Sequence, residues 1–293
     1  MATILCIEDE DMIRQDIVEE LTDAGHDVMQ ACDGAEGLRL LLSKMPDLVL
    51  CDISMPVMDG HTLLTELRES YPEHDDLPFV FLSALADRDD VIAGKKLGAD
   101  DYLTKPIDFE MLHATVESRL RQVGRMSERK QDQMILRTRG NPIMARILCI
   151  EDEKFIREDI VEELEDAGHE VVQADCGADG LEAIRAGNLD LVLCDISMPV
   201  MDGHALLTEL RTKHPEFDDL PFVFLSALGD RKDVIAGKQL GADDYLTKPI
   251  DFEMLHATID SRLRQVDRMA ERKDLQMVKL YKALSEVGES PSE

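Results

Sequence analysis

Apolar and polar positions along the chain fall into two alternating patterns. Short, nearly continuous apolar runs, Ile4 to Ile7, Val28 to Ala31, Leu48 to Cys51, Phe79 to Leu82 and Tyr102 to Thr104, have the length of strands and the composition of strands covered on both faces. Between them, Met12 to Ala24, Ala35 to Lys44, His61 to Ser70, Arg88 to Leu97 and Asp108 to Leu120 carry apolar residues at helical spacing. Five strand-helix units in about 120 residues predict an α/β domain, a doubly wound five-stranded parallel sheet with helices on both faces. In such a sheet, ligands sit at the carboxyl ends of the strands.

The same pattern then repeats. ILCIEDE starts at Ile4 and again at Ile147, LVLCDISMPVMDG at Leu48 and Leu191, PFVFLSAL at Pro78 and Pro221, and GADDYLTKPIDFEMLHAT at Gly98 and Gly241. Every pair is offset by 143 positions, so the copies align without insertion or deletion. Mismatches cluster at Arg39 to Pro46 against Glu182 to Leu189, one helix-sized segment. A period this long is a whole domain rather than a solenoid repeat. The expected organisation is a first domain at 1–123, a helical linker at 124–143, a second domain at 144–266 and a C-terminal helical extension with a frayed tail at 267–293. The linker pattern stays helical until Asn141-Pro142 stops it. Leu263, Val266, Ala270, Lys273, Met277, Leu280, Leu284 and Val287 follow the alternating three- and four-residue steps of a coiled-coil seam.

Charge narrows the range of partners. Asp and Glu number 62 against 32 Lys and Arg, a formal net charge of -30, which repels phosphate backbones and anionic lipid. No nucleic acid and no membrane is therefore expected as a partner. The start MATILCIEDE meets acids too early for a signal peptide, and no apolar run reaches spanning length, so a cytoplasmic location is expected. Six scattered cysteines contain no Cys-x-x-Cys pair, and Cys6, Cys51, Cys149 and Cys194 lie in apolar runs as small buried hydrophobes.

Candidate chemistry appears at the ends of the predicted strands. The first is followed by Glu8, Asp9 and Glu10, the third by Asp52, the fourth by Ser83 and the fifth by Lys105. A single acid there is usually a helix cap or a solvated loop residue. Four such residue types on four strand ends, in both copies, describe a site. Carboxylates suit a hard divalent ion such as Mg²⁺, a lysine and a hydroxyl can neutralise and orient a transferring phosphoryl group, and Asp52 would be the nucleophile.

On these residues, with DISMPVMDG around Asp52 and the Lys105-Pro106 pair, each copy resembles a receiver domain of the two-component response regulators, a flavodoxin-like fold. The resemblance implies that Asp52 and Asp195 are phosphoacceptors. It implies a Mg²⁺ site of Asp9, Asp52 and the carbonyl of Ser54, and of Asp152, Asp195 and the carbonyl of Ser197, with Glu8 and Glu151 at the second acidic metal position where aspartate is commonest. Ser83 and Ser226 then match the switch hydroxyls, Tyr102 and Tyr245 the aromatic switch residues, and Lys105 and Lys248 the phosphate-contacting lysines. From the residues alone, Tyr102 is equally an edge aromatic packed on its neighbours.

Several functional expectations follow from the resemblance. The chain would be a tandem-receiver response regulator in a phosphorelay, catalysing only its own phosphoryl transfer and slow dephosphorylation, and so not an enzyme in the ordinary sense. No histidine lies in a phosphodonor pattern, so a histidine kinase or a histidine phosphotransfer protein would supply the phosphoryl group. Output would pass through contacts with a downstream protein. A phosphorylation-dependent homodimer is expected through the face formed by the fourth helix, fifth strand and fifth helix, although a bend at Gly124 would instead permit a pseudo-twofold pair within one chain. Alternatives are a phosphate-independent scaffold and a regulatory fragment of a larger protein with an absent output domain. A hydrolase of the haloacid dehalogenase type needs a second aspartate two residues after the nucleophile, where Ser54 and Ser197 stand.

Overall fold

A computed structural model of the protein describes residues 1–84, 88–125, 144–227 and 231–266. The first unit runs β1 (Thr3–Ile7), α1 (Asp11–Asp23), β2 (Asp27–Ala31), α2 (Gly34–Lys44), β3 (Leu48–Asp52), α3 (Gly60–Ser70), β4 (Phe79–Ala84), α4 (Arg88–Leu97), β5 (Asp101–Lys105) and α5 (Phe109–Arg125). The second repeats it as β6 (Arg146–Ile150), α6 (Lys154–Asp166), β7 (Glu170–Ala174), α7 (Gly177–Ala186), β8 (Leu191–Asp195), α8 (Gly203–Lys213), β9 (Phe222–Ala227), α9 (Arg231–Leu240), β10 (Asp244–Lys248) and α10 over 252–266. Each apolar run became a strand, lengthened by one or two residues because the sheet ladder recruits the polar residues beside it. The proposed coiled-coil seam beyond 266, and most of the linker, lie outside the described residues.

Both sheets are parallel, ordered β2-β1-β3-β4-β5 and β7-β6-β8-β9-β10. Side chains alternate across each strand, so a continuous apolar run feeds two cores at once. Leu5, Ile7, Val49, Cys51, Phe79 and Phe81 pack with Leu41, Leu63, Leu64 and Leu67 of α2 and α3. Ile4, Cys6, Leu48, Leu50, Val80 and Leu82 pack on the other face with Ile17, Leu21, Leu112 and Val116 of α1 and α5. Each fully buried Leu, Ile or Phe contributes roughly 1.5–3 kcal/mol, so both faces are needed to hold a unit of this size. Among the described residues, no helix is long and apolar enough to cross a membrane.

The divergent segment carries a strained helix end. Met45 closes α2 with φ 52, a left-handed conformation that costs a residue with a Cβ about 1–2 kcal/mol. The second unit ends the same helix with Gly187 at φ 79 and Asn188 at φ 61, residue types that tolerate this region. Met45 is exposed and has little packing to lose. Met45→Gly is therefore expected to stabilise the protein by about 0.5–1 kcal/mol, the relieved strain exceeding the added freedom of the unfolded chain. A denaturant midpoint that falls would contradict this.

The two units face each other within one chain. Lys95 of α4 reaches Asp244 of β10, and its counterpart Lys238 of α9 reaches Asp101 of β5. Arg119 of α5 donates to Asp101 at 2.9 Å and to the carbonyl of Asp243, and Arg262 of α10 approaches Asp244 at 3.3 Å and donates to the carbonyl of Asp100. Ser118 donates to the carbonyl of Ala242 at 3.3 Å, and Ser261 to that of Ala99 at 3.2 Å. At the rim, Arg88 meets Asp251 and Glu253 while Arg231 meets Asp108 and Glu110. Each contact recurs with its partners exchanged and shifted by 143 positions, the signature of a pseudo-twofold, self-complementary interface. The face expected to pair separate chains is occupied here by the other unit of the same chain.

Candidate functional site

Parallel strands put their carboxyl ends on one rim, and the order β2-β1-β3-β4-β5 sets the end of β1 beside that of β3. Glu8 follows β1, Asp52 ends β3, Ser83 lies near the end of β4 and Lys105 ends β5. Strand register aligns Asp52 with Leu82, and Ser83 with Thr104. Glu8, Asp52 and Ser83 are buried, whereas Asp9 and Ser54 are exposed at the mouth.

Lys105 ties the acids together. Its Nζ lies 2.8 Å from Glu8 Oε2 and 2.9 Å from Asp52 Oδ2. In the second unit, Lys248 Nζ lies 2.7 Å from Glu151 Oε2 and 3.1 Å from Asp195 Oδ1. Burial pushes both lysines down, but hydrogen bonds to the two carboxylates outweigh it and leave each ammonium above its ordinary value. Burial raises the Glu8 and Glu151 carboxyls, with the lysine opposing. It also raises that of Asp195. Ligand oxygens of Glu8, Asp9 and Asp52 lie within 4.8 Å of one another, as do those of Glu151, Asp152 and Asp195. Such hard anionic oxygens suit a divalent ion like Mg²⁺, and the exposed Asp9 and Asp152 leave it a path inward.

The Ser83 hydroxyl is buried without a hydrogen-bond partner. A buried donor left unmade is costly, and a phosphoryl oxygen held at Asp52 would offer it an acceptor. Tyr102 packs its ring on Phe81 at 5.6 Å, and its own hydroxyl is also buried and unpartnered. The peptide bonds Lys105-Pro106 and Lys248-Pro249 are both cis.

Some contributors carried no signal in the residue pattern. Arg14 donates to the carbonyl of Glu8 and Arg157 to that of Glu151, clamping the acidic turn from the first helix. A Cβ at Gly60 would lie 2.4 Å from the carbonyl oxygen of Asp52, and one at Gly203 at the same distance from that of Asp195, so only glycine lets α3 and α8 start against the site. The spacing DISMPVMDG contains these glycines, but their role depends on how closely the helix approaches.

Residues 4–117 and 147–260 each match the response regulator receiver domain. The chain belongs to the response regulator receiver family. Its two receivers are of the kind found in two-component systems. Over 273 residues it is 29% identical to the response regulator PleD of Caulobacter vibrioides, a match covering 90% of this chain and 59% of that protein. It is 39% identical over 127 residues to the transcriptional regulatory protein AfsQ1 of Streptomyces coelicolor, covering 43% of this chain and 55% of that one. Among solved structures, the receiver domain of Francisella response regulator 1452 is 34% identical, with a TM-score of 0.39, over 42% of this chain and 98% of that domain. The matched part of the chain thus covers little more than half the length of each of these curated relatives.

Proposed function

We propose that both receivers accept a phosphoryl group, on Asp52 and Asp195, and signal through phosphorylation-dependent protein contacts. The observation that supports this best is the repeated arrangement of a buried acceptor carboxylate held by a lysine, beside a second buried acid, at the same strand ends in both receivers. The donor would be a phosphohistidine on a histidine kinase or a histidine phosphotransfer protein. An Asp52 oxygen attacks phosphorus, the O–P bond forms as the P–N bond breaks, and the imidazole leaves with the bonding pair. Lys105 offsets charge on the phosphoryl oxygens, and Ser83 donates its hydroxyl to one of them. Beyond this transfer and slow hydrolysis of the acyl phosphate, no catalysis of a separate substrate is proposed.

Asp9, Asp52 and the carbonyl of Ser54 would hold Mg²⁺ in the first receiver, as would Asp152, Asp195 and the carbonyl of Ser197 in the second. The ion would supply positive charge against the phosphoryl oxygens. Glu8 and Glu151, whose oxygens lie within 4.8 Å of those of the two aspartates, would complete each acidic set while also anchoring the lysine. Because Mg²⁺ binds the native state, a concentration about 100 times its Kd should stabilise the receiver it fills by about 2.7 kcal/mol. Asp9→Ala should remove this effect from the first receiver and leave it in the second, as read by thermal melting with and without the ion. A melting curve that Mg²⁺ does not move would count against the site.

The paired faces constrain assembly. A phosphorylation-dependent homodimer must either open the intramolecular pair or use other surfaces, and light scattering with and without a beryllofluoride phosphate mimic distinguishes a doubled mass from a compact single chain. A second reading makes the chain the regulatory part of a longer protein, favoured by its spanning 59% of PleD. A cytoplasmic location accompanies either reading, since that is where a phosphohistidine donor would meet it.

A further inference from the structure

We propose that Arg185, His214 and Glu216 form an acid-released latch between α7 and α8 of the second receiver, its ligand a proton. The inference does not depend on phosphoryl transfer, and it concerns the segment in which the two copies differ most.

The latch joins the last turn of α7 to the end of α8. His214 caps α8 and leads into a 3₁₀ turn at Pro215–Phe217. Its half-buried ring has Nε2 at 2.8 Å from an Nη of Arg185 and Nδ1 at 3.2 Å from Glu216 Oε1. Those neighbours dictate what each ring nitrogen does. A guanidinium can only donate, so Nε2 must accept, and an ionised carboxylate can only accept, so Nδ1 must carry the hydrogen. Glu216 is an ionised partner, its carboxyl held below the ordinary value by a backbone amide first and by the imidazole second. The arrangement therefore requires a neutral imidazole in one tautomer. The neighbouring cations of α8 are engaged elsewhere: Lys213 lies 2.9 Å from Glu209 and Arg211 lies 3.7 Å from Asp243. The ring's remaining neighbour, Phe217 at 6.4 Å, carries no charge.

A proton removes the acceptor. Imidazoles ordinarily change charge between about pH 5 and 8, and both nitrogens of the charged ring are donors. Nε2–H would then face a guanidinium that also only donates, and two positive charges would oppose each other. Arg185, which is exposed, turns to solvent, while Nδ1–H keeps Glu216 in a charge-assisted bond. The last turn of α7 loses its tie to α8 just where Gly187 ends the helix. The first receiver has no equivalent group to titrate. Leu42 stands at the position of Arg185 and Tyr71 at that of His214, both packed on the apolar core. That junction is held by the removal of apolar surface from water, which a proton does not alter. One receiver thus carries a proton-sensitive junction and its copy an inert one.

The test uses the full chain, with nitrogen NMR of labelled histidines and hydrogen exchange of backbone amides. At about pH 7.5, His214 should show the Nδ1–H tautomer. On lowering the pH to about 5.5, protection of the amides from Ile184 to Gly187, corrected for intrinsic exchange, should fall about fivefold, the loss of one ordinary hydrogen bond. Protection from Leu41 to Lys44 in the first receiver should stay constant. Arg185→Leu with His214→Tyr imports the pair with which the first receiver already folds, and should abolish the pH dependence. An Nε2–H tautomer at the higher pH, or protection in the second receiver that ignores pH, would overturn the latch. So would a pH dependence that survives in the double variant, since its origin would then lie outside these side chains.

Discussion

Replacing Asp52 by asparagine is expected to abolish phosphoryl uptake at the first receiver, and Asp195→Asn to abolish it at the second. An amide oxygen carries no negative charge and is a far weaker nucleophile than the carboxylate it replaces, so the O–P bond does not form at a useful rate. The substitution is nearly isosteric, and the neighbours that hold the site remain, with Lys105 still within 2.8 Å of Glu8. Intact-mass measurement after incubation with a small acyl phosphate and Mg²⁺ should show two additions on the native chain, one on each single variant and none on the double variant. A native chain that gains only one addition would show that one receiver is silent. Two additions on Asp52→Asn would show that the acceptor lies elsewhere.

The largest effect on architecture is expected from Asp101→Ala. Asp101 receives Lys238 from the second receiver and Arg119 from its own, and both cations are almost wholly buried, at 4% and 1% exposure. Removing the carboxylate strands the Lys238 ammonium in a poorly solvated interface and leaves Arg119 with only neutral acceptors, Gln122 and the carbonyl of Asp243, and breaking a buried pair from one side costs about 3–5 kcal/mol. That is enough to open the two receivers, because their cores are separate and do not depend on the contact. Small-angle scattering should report a larger radius of gyration while circular dichroism stays unchanged. Asp251→Ala, at an exposed rim pair with Arg88, should leave the scattering curve as it is. A compact Asp101→Ala chain would mean that the ion pairs do not hold the interface.

The same groups set how the pair responds to acid. Asp101 faces Lys238 and Arg119, and Asp244 faces Lys95 and Arg262. Burial works to raise both carboxyls, but the cations around them prevail and hold each below the usual aspartate range. A carboxyl depressed in this way contributes its full stabilisation above its ordinary value, about 4, and loses it as pH falls through the depressed value. Between pH 7 and 5 the receivers should therefore stay closed.

Most of the secondary structure was legible because its causes are local. An apolar run of strand length needs no partner to be recognised, and a 143-residue repetition makes every reading twice. The acids, hydroxyl and lysine at the strand ends could also be read in advance, since a parallel sheet must gather its carboxyl ends on one rim. The helical pattern that starts at Asp108 was read as persisting past Leu120 into the linker, and within the described residues α5 runs from Phe109 to Arg125.

What tertiary structure alone decided is which groups those elements bring together. Lys105 was predicted to face a phosphate, but its simultaneous hold on Glu8 and Asp52 depends on strands distant in sequence sharing the sheet order β1-β3-β4-β5. Asp101, Lys95 and Arg119 read along the chain as ordinary polar residues of a strand and two helices, with nothing to mark them for burial. Their burial comes from the second receiver, whose Lys238, Asp244 and Arg262 supply the opposite charges. Periodicity records the environment that a segment makes for itself. It carries no record of a charge that becomes buried only when another domain, 143 residues away, brings its counterion.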